Sequence, residues 1–211
     1  MPISDLAKEV HENAVAHGWW DEKREAPEII ALIHSEWSEA LEEARAGRPQ
    51  AYIIVDEKLI NVCLNPRREK HDVIIWRRAD GRYTYNGREY HGKPEGVAVE
   101  LIDGCIRILD YIGKLGVLKR DSSDPELLEI NTFTDDADLI KEDLPDMVAH
   151  LHWITSHALY AKCDYTRSMY LILSMSAALS WVKRQGIDPL QLLLEKHEYN
   201  KTRPYKHGKK F

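Results

Sequence analysis

Apolar residues recur through most of the chain at intervals of three and four, which is the period of an amphipathic α-helix. Pro and Gly divide this pattern into segments, because Pro suits a first helical turn and Gly suits a helix end. The pattern predicts six helices, the first of them with Ser4 as its N-cap. They cover about residues 4–17, 27–46, 94–116, 138–162, 165–185 and 189–200.

The pattern changes between the second and third helices, over about residues 48–93. This segment contains AYIIVD and DVIIWRRADGRYTYNG, which are rich in the β-branched and aromatic residues typical of strands. Ala79-Asp80-Gly81 is a turn signal of the Asp-Gly kind. We therefore expect a small β-hairpin, alone or with a third strand. The predicted fold class is mainly α: a helical bundle in one domain over residues 1–211, with this β-rich insertion and a basic tail at about 195–211.

The third predicted helix is apolar around most of its circumference except for one narrow polar line. Glu100, Asp103, Arg107 and Asp110 follow one another at i, i+3, i+7 and i+10, so they stack on a single stripe. A carboxylate that is taken out of water needs an ionic partner, a hydrogen-bond donor or a metal. The helix is therefore predicted to be largely buried, with acids that require a partner from elsewhere in the chain.

The second predicted helix offers such acids. Glu36 and Glu39 lie along one border of its apolar face, and taken alone an acidic border of this kind is typical of a solvated surface. If the two helices face each other, Glu36, Glu39, Glu100 and Asp103 converge on one point. Four carboxylates suit a hard cation such as Mg²⁺, which prefers oxygen ligands and keeps several waters. No His lies on either stripe.

Composition narrows the function classes. The formal net charge of -6 and the sequence pI of about 5.9 argue against a nucleic-acid binder. Three cysteines without a CxxC pair indicate neither a disulfide framework nor a zinc site, and they favour a reducing cytosol. The sequence shows neither a signal peptide at its N-terminus nor an apolar run long enough to span a membrane. We therefore expect a cytoplasmic protein with no membrane partner.

Several stretches carry a resemblance to a known family. They resemble the MazG-like branch of the all-α NTP pyrophosphohydrolases, and they are AHGWWDE, ALIHSEWSEALEEAR, GKPEGVAVELIDGCIRILD and the closing KHEYNKTRPYKHGKKF. The resemblance implies the helical fold of that superfamily, with Glu36, Glu39, Glu100 and Asp103 as Mg²⁺ ligands and Mn²⁺ as a substitute ion. It also implies cleavage of nucleoside triphosphates to a monophosphate and pyrophosphate, by a homodimer or homotetramer.

Further residues are candidates for substrate binding and catalysis. Trp20 is either a core residue or a surface on which a base stacks. The tail is either a solvated basic end or a segment that folds over the cleft, where Arg203, Lys196 and Lys209 or Lys210 would bind phosphates and Asn200 would shape the segment. Glu39 is the candidate for orienting or deprotonating the attacking water, because it lies farthest from the packed face of its helix.

Two alternatives remain open at this point. The substrate can be dUTP, another pyrimidine deoxynucleotide, or a noncanonical or alarmone nucleotide, because the long connection between the acidic motifs departs from the compact family pattern. Outside enzymes, the chain can be a helical module that senses nucleotides or binds proteins. Its acidic stripe would then only form ion pairs with Arg107 and the basic tail.

Overall fold

The computed structural model describes residues 2–55, 58–61, 82–85, 88–117 and 143–208. Most of these residues are helical, and the remainder includes two short β-hairpins. The helices are α1 (Ile3–Ala16), α2 (Ala26–Arg45), α3 (Val97–Leu115), α4 (Leu144–Leu159), α5 (Asp164–Arg184) and α6 (Pro189–Lys201), followed by a short 3-10 helix at Tyr205–Gly208. The predicted fold class, mainly α with a small β insertion, is confirmed.

The turn signals predict most helix ends correctly. Gly116 follows α3 in the left-handed conformation with φ +60, and Pro27 lies in the first turn of α2. The predicted Ser4 cap is wrong, because α1 already begins at Ile3 after Pro2 and Ser4 lies inside the helix. The predicted start of the fourth helix at 138 is also wrong: α4 begins at Leu144, after an extended residue 143.

Helix α3 lies at the centre of the bundle and packs against α1, α2, α5 and α6. Its glycines allow two of these neighbours to approach closely. A Cβ on Gly104 would lie 2.3 Å from the ring of Trp37 on α2, and a Cβ on Gly113 would lie 2.3 Å from the carbonyl oxygen of Ala7 on α1. The small residues thus bring the acidic border of α2 and the polar stripe of α3 to the same cleft.

The β insertion forms two antiparallel hairpins in the described residues. Strand β1 (Tyr52–Val55) pairs with β2 (Lys58–Asn61), and β3 (Arg82–Tyr85) pairs with β4 (Arg88–His91). The turn predicted at 79–81 lies outside the described residues. Tyr52 and Glu95 exchange backbone hydrogen bonds of 2.8 and 2.9 Å, which fasten the insertion to the chain just before α3.

Helix α5 is largely buried in the core and carries several buried serines. Ser174 Oγ lies 2.8 Å from Thr155 Oγ1, and Thr155 accepts a hydrogen bond of 3.1 Å from the indole of Trp37. These contacts satisfy polar groups at the junction of α2, α4 and α5. Across the part of the chain that the structure describes, no helix is long and apolar enough to cross a membrane.

Candidate functional site

Three carboxylates from two helices meet in the cleft between α2 and α3. One oxygen each from Glu36, Glu39 and Glu100 lies within 4.8 Å of the other two. Glu36 and Glu100 are 6% and 5% exposed, whereas Glu39 is exposed to solvent. The spacing of three residues on α2 places Glu36 and Glu39 one turn apart on the same side, facing Glu100 across the close contact at Gly104. These oxygens are near enough to share one cation.

The electrostatics of this cluster disfavour three unpartnered negative charges. Burial, followed by repulsion from Asp103, raises the pKa of Glu100 to about 8. Burial also raises the pKa of Glu36, although Arg107 Nε donates a hydrogen bond to Glu36 Oε1. Among the described residues, neither Glu39 nor Glu100 forms an ion pair. A divalent cation would offset this charge, so the cluster is a chemically suitable metal site.

Asp103 lies beside the cluster but has a partner within the protein. Its Oδ2 is 2.8 Å from Nζ of Lys196 on α6, and that ammonium also donates a hydrogen bond of 2.9 Å to the carbonyl oxygen of Pro94. Lys196 is 1% exposed. The structure therefore brings three of the four predicted ligands together and holds the fourth, Asp103, against a buried lysine. Lys196 was predicted from the sequence to bind phosphate. In the structure it is buried and forms an ion pair with Asp103.

A cavity of about 200 Å³ opens beside these acids. Glu36, Glu39, Glu100 and Asp103 all line it, and the α3 stripe continues along it through Arg107 and Asp110. The rest of its wall combines apolar or aromatic side chains with amides and cations: Val10, Asn13, Ala14, Trp19, Trp20, Arg24, Ile29, Leu32, Lys93, Ile106, Asn200 and Arg203. Carboxylates, cations and an aromatic surface thus share one pocket.

Two residues of the predicted tail reach this pocket. Asn200 is 9% exposed, and its Oδ1 is buried without a hydrogen-bond partner among the residues that the structure describes. Arg203 follows just after the end of α6 and also lines the cavity. A buried amide oxygen without a partner is costly unless a ligand or water satisfies it. Lys209 and Lys210, the other predicted tail cations, lie outside the described residues.

Trp20 is both a packing residue and a pocket residue. It packs against the core, lines the cavity, and donates a hydrogen bond of 2.8 Å from Nε1 to Asp110 Oδ1. His11 Nδ1 lies 2.7 Å from the same carboxylate oxygen. Burial raises the pKa of Asp110, and the hydrogen bonds from His11 and Trp20 act in the opposite direction. The aromatic wall is therefore held in place by a carboxylate of the α3 stripe.

Several pocket residues were not identified from the sequence. Lys93 comes from the end of the β insertion, and its Nζ lies 3.1 Å from Glu95 Oε1. Burial lowers the pKa of Lys93, but Glu100, Glu95 and other nearby acids outweigh burial and raise it, so the side chain stays cationic. The sequence signal that could have identified Lys93 as a pocket residue is its position directly before α3, in the run GKPEG. Arg24, stacked 5.4 Å from the ring of Trp19, gave no comparable signal.

The arrangement is suited to binding a metal together with a polyanion that carries an aromatic group. The carboxylates offer oxygen ligands, and Lys93, Arg24 and Arg203 offer positive charge in the lining of the same cavity. No family model, curated protein or solved structure matches the chain.

Proposed function

We propose that the protein hydrolyses nucleoside or deoxynucleoside triphosphates in a Mg²⁺-dependent reaction that releases a monophosphate and pyrophosphate. The observation that supports this proposal most directly is the cavity. Three converging carboxylates, several cations and Trp20 all line it. The resemblance of the two acidic motifs and the tail to the MazG-like pyrophosphohydrolases supports the same reaction. We further propose the all-α pyrophosphohydrolase fold type and a homo-oligomeric assembly on that resemblance.

The side chains present fit Mg²⁺. Glu36, Glu39 and Glu100 would hold the ion through carboxylate oxygens. Asp103, the fourth proposed ligand, lines the same cavity and is paired with Lys196. Mn²⁺ accepts the same oxygen ligands and is the expected substitute. When bound, the ion polarises a phosphoryl oxygen and lowers the pKa of a bound water.

The protein's own groups then have distinct tasks. Arg203 and Lys93 bind phosphate oxygens, because both line the cavity and carry positive charge. Arg107 is held by Glu36 and keeps that carboxylate in position. Trp20 presents its ring to the base, with its indole N–H fixed by Asp110. Glu39, the exposed member of the cluster, orients the attacking water and accepts its proton, while Ser35 Oγ donates a hydrogen bond of 2.9 Å to Glu39 Oε1.

A panel of nucleotides with pyrophosphate detection tests this proposal. The wild type should release pyrophosphate from at least one triphosphate when Mg²⁺ is present and not when it is chelated. Glu100→Gln and Asp103→Asn should each lower the rate by about 10²-fold or more, as expected when a catalytic metal is displaced or bound more weakly. Glu42→Gln is the matched control, because Glu42 lies exposed on α2 and pairs with Arg45. The absence of pyrophosphate release across the panel would contradict the proposal.

A non-catalytic module is the second candidate, and one observation favours it. Arg107 pairs with Glu36 and Lys196 pairs with Asp103, so half of the acids already have partners within the protein. Thermal unfolding with Mg²⁺ and a nonhydrolysable triphosphate separates the candidates, because a ligand that binds only the folded protein raises its stability. A stabilised protein without turnover indicates a nucleotide sensor. No stabilisation by either ligand indicates a protein-binding module.

A further inference from the structure

We propose that Asp110 determines base specificity and restricts the pocket to nucleotides whose base carries an exocyclic amino group at C4 of a pyrimidine or C6 of a purine, as cytosine and adenine do. This inference rests on the proposed function, since it takes the metal cluster as the phosphate end of the pocket. It adds a substrate class and assigns a role to a carboxylate that the hydrolysis itself does not use.

Asp110 lies at the far end of the α3 stripe from Glu100. Asp110 lies ten residues after Glu100 and seven after Asp103, which at the helical rise corresponds to about 15 and about 10 Å along the axis. Arg107 lies between them. If the phosphates bind at the acids, an extended nucleotide reaches along the stripe and brings its base to Asp110. The wall at that end includes Trp20 and Ile106, which offer the apolar surface that a base requires.

Two hydrogen bonds hold one of the carboxylate oxygens of Asp110. Trp20 Nε1 and His11 Nδ1 both bond to Oδ1, at 2.8 and 2.7 Å. A carboxylate oxygen accepts hydrogen bonds, so His11 carries its proton on Nδ1 in this contact. No described residue donates a hydrogen bond to Oδ2, and 22% of the side chain remains exposed. The protein therefore orients this carboxylate rigidly and leaves one acceptor for a ligand.

The chemistry of a carboxylate selects between bases. An ionised carboxylate can only accept hydrogen bonds, and the two donors on Oδ1 favour this form against burial, which raises the pKa of Asp110. Cytosine and adenine offer an amino donor, whereas uracil, thymine and hypoxanthine place a carbonyl oxygen at the same position. A carbonyl oxygen at that position would face the lone pairs of Oδ2 and leave both acceptors without a donor. Asn13, whose amide also lines the pocket, can donate or accept and therefore does not discriminate.

Matched nucleotide pairs isolate the amino group. The test compares kcat/KM for dCTP against dUTP, and for dATP against dITP, with Mg²⁺ at alkaline pH, which favours the ionised carboxylate because burial raises its pKa. We expect the amino-bearing member of each pair to be preferred at least tenfold. In Asp110→Asn, the amide oxygen can accept from His11 and Trp20 while its NH₂ faces the base, so the preference should vanish or reverse. Asp164→Asn, on the exposed start of α5, is the matched control and should keep the wild-type ratio.

The outcomes separate this inference from the proposed function. Hydrolysis without an amino preference in wild type overturns the inference and leaves the proposed function intact. An unchanged ratio in Asp110→Asn overturns the assignment to Asp110. If Asp110→Asn does not fold, Trp20→Phe serves as the second variant: it removes one donor to Oδ1 and should reduce the ratio, and an unchanged ratio again contradicts the assignment.

If wild type hydrolyses nothing, the proposed function fails and binding decides the inference. Thermal shifts are then measured with Mg²⁺ and nonhydrolysable analogues of dCTP and dUTP. A larger shift with the cytosine analogue supports amino selection at Asp110. Equal shifts, or no shift with either analogue, overturn it.

Discussion

Glu100 and Glu39 are the members of the metal cluster without an ion pair among the described residues, although the charges of Lys196 and Lys93 partly offset the effect of burial on the pKa of Glu100. Arg107 bonds to Glu36, and Lys196 bonds to Asp103, but neither Glu100 nor Glu39 has an ion-pair partner among the described residues. Glu100 is buried, so its charge is costly without a cation. Glu39 is exposed to solvent. The two residues therefore differ in the task that they can perform.

Replacing Glu39 with Gln should separate binding from catalysis. The amide keeps the shape of the side chain and can still contribute one oxygen to the metal, but it cannot accept a proton from water. We expect nucleotide affinity to change little and kcat to fall about 10²- to 10⁴-fold. Titration calorimetry with a nonhydrolysable triphosphate and steady-state kinetics measure the two effects. If affinity and kcat fall together by similar factors, Glu39 is an ordinary metal ligand.

Glu100 makes the stability of the metal-free protein depend on pH. Its pKa is raised to about 8 from the ordinary value of 4.5, because burial disfavours the charged form. Between these values the folded state holds a proton that the unfolded chain has released, so metal-free stability should fall as the pH rises from about 5 to about 8. Mg²⁺ competes with that proton and should therefore stabilise the protein more at high pH than at low pH.

Thermal unfolding at several pH values, with and without Mg²⁺, measures both trends. Glu100→Gln should flatten the decline of metal-free stability and reduce the Mg²⁺ effect. If the variant and the wild type show the same dependence on pH, Glu100 is not the titrating group.

The spacing of acids in the sequence identified Glu36, Glu39 and Glu100, because neighbours on one helix are visible as an i, i+3 pattern. The contacts around Asp110 could not be predicted in the same way. Its partners His11 and Trp20 are 99 and 90 residues away in the chain. Such contacts depend on how α1 docks against α3, which periodicity alone does not determine.

At the level of elements, the approach of α2 to α3 controls the geometry of the cluster. Gly104 provides the space, since a Cβ there would lie 2.3 Å from the buried ring of Trp37. The indole of Trp37 is in turn fixed by Thr155 on α4. The contact between Gly104 and Trp37 therefore positions Glu36 relative to Glu100.

Gly104→Ala should destabilise the protein, although the same change in an exposed helix would stabilise it by about 1 kcal/mol. Overpacking against a fully buried ring costs about 1–3 kcal/mol, so the net effect should be a loss of stability, measurable by urea unfolding. The Trp37→Phe background is the control: phenylalanine lacks the outer ring that the added methyl group would meet, so the cost of Gly104→Ala should be smaller there. Equal costs in both backgrounds would show that the contact is not limiting.

Helices and strands were predictable where hydrophobic periodicity or a turn residue indicates them. They were less predictable where tertiary contacts determine the ends of an element. The mainly helical bundle and the β insertion followed from the change of period near residue 48. The N-cap predicted at Ser4 was wrong. Ser is a good capping residue, but α1 already begins at Ile3, so Ser4 lies inside the helix. The sequence between β3 and β4 is Asn86-Gly87, a stronger hairpin signal than the Asp-Gly turn on which the prediction relied.

On the scale of the whole molecule, the C-terminal segment closes the bundle onto the connection between α1 and α2. His17 Nε2 lies 2.9 Å from the carbonyl oxygen of Arg203, and the backbone N–H of Lys206 donates to the carbonyl oxygen of His17 at 2.9 Å. The hydroxyl of Tyr205 donates to Asp21. These contacts fasten Arg203 at the pocket beside the turn that carries Trp20. The tail is thus part of the pocket wall.

Loosening this attachment should weaken nucleotide binding more than catalysis. Tyr205→Phe removes the hydrogen bond to Asp21, and a hydrogen bond to a charged group contributes about 1 kcal/mol or more. We expect KM to rise about threefold to tenfold with little change in kcat. Asp21→Asn probes the other partner, and the double variant should resemble either single variant. Fully additive effects on KM would contradict the attachment.

The central claim is that the acids of α2 and α3 direct water to the α-phosphorus of a nucleoside triphosphate. Hydrolysis in ¹⁸O-labelled water tests it most directly, with products analysed by mass spectrometry in the presence and absence of Mg²⁺. The account predicts Mg²⁺-dependent release of unlabelled pyrophosphate together with a monophosphate that carries the label. Release of orthophosphate, label in the pyrophosphate, or no hydrolysis with Mg²⁺ would contradict it.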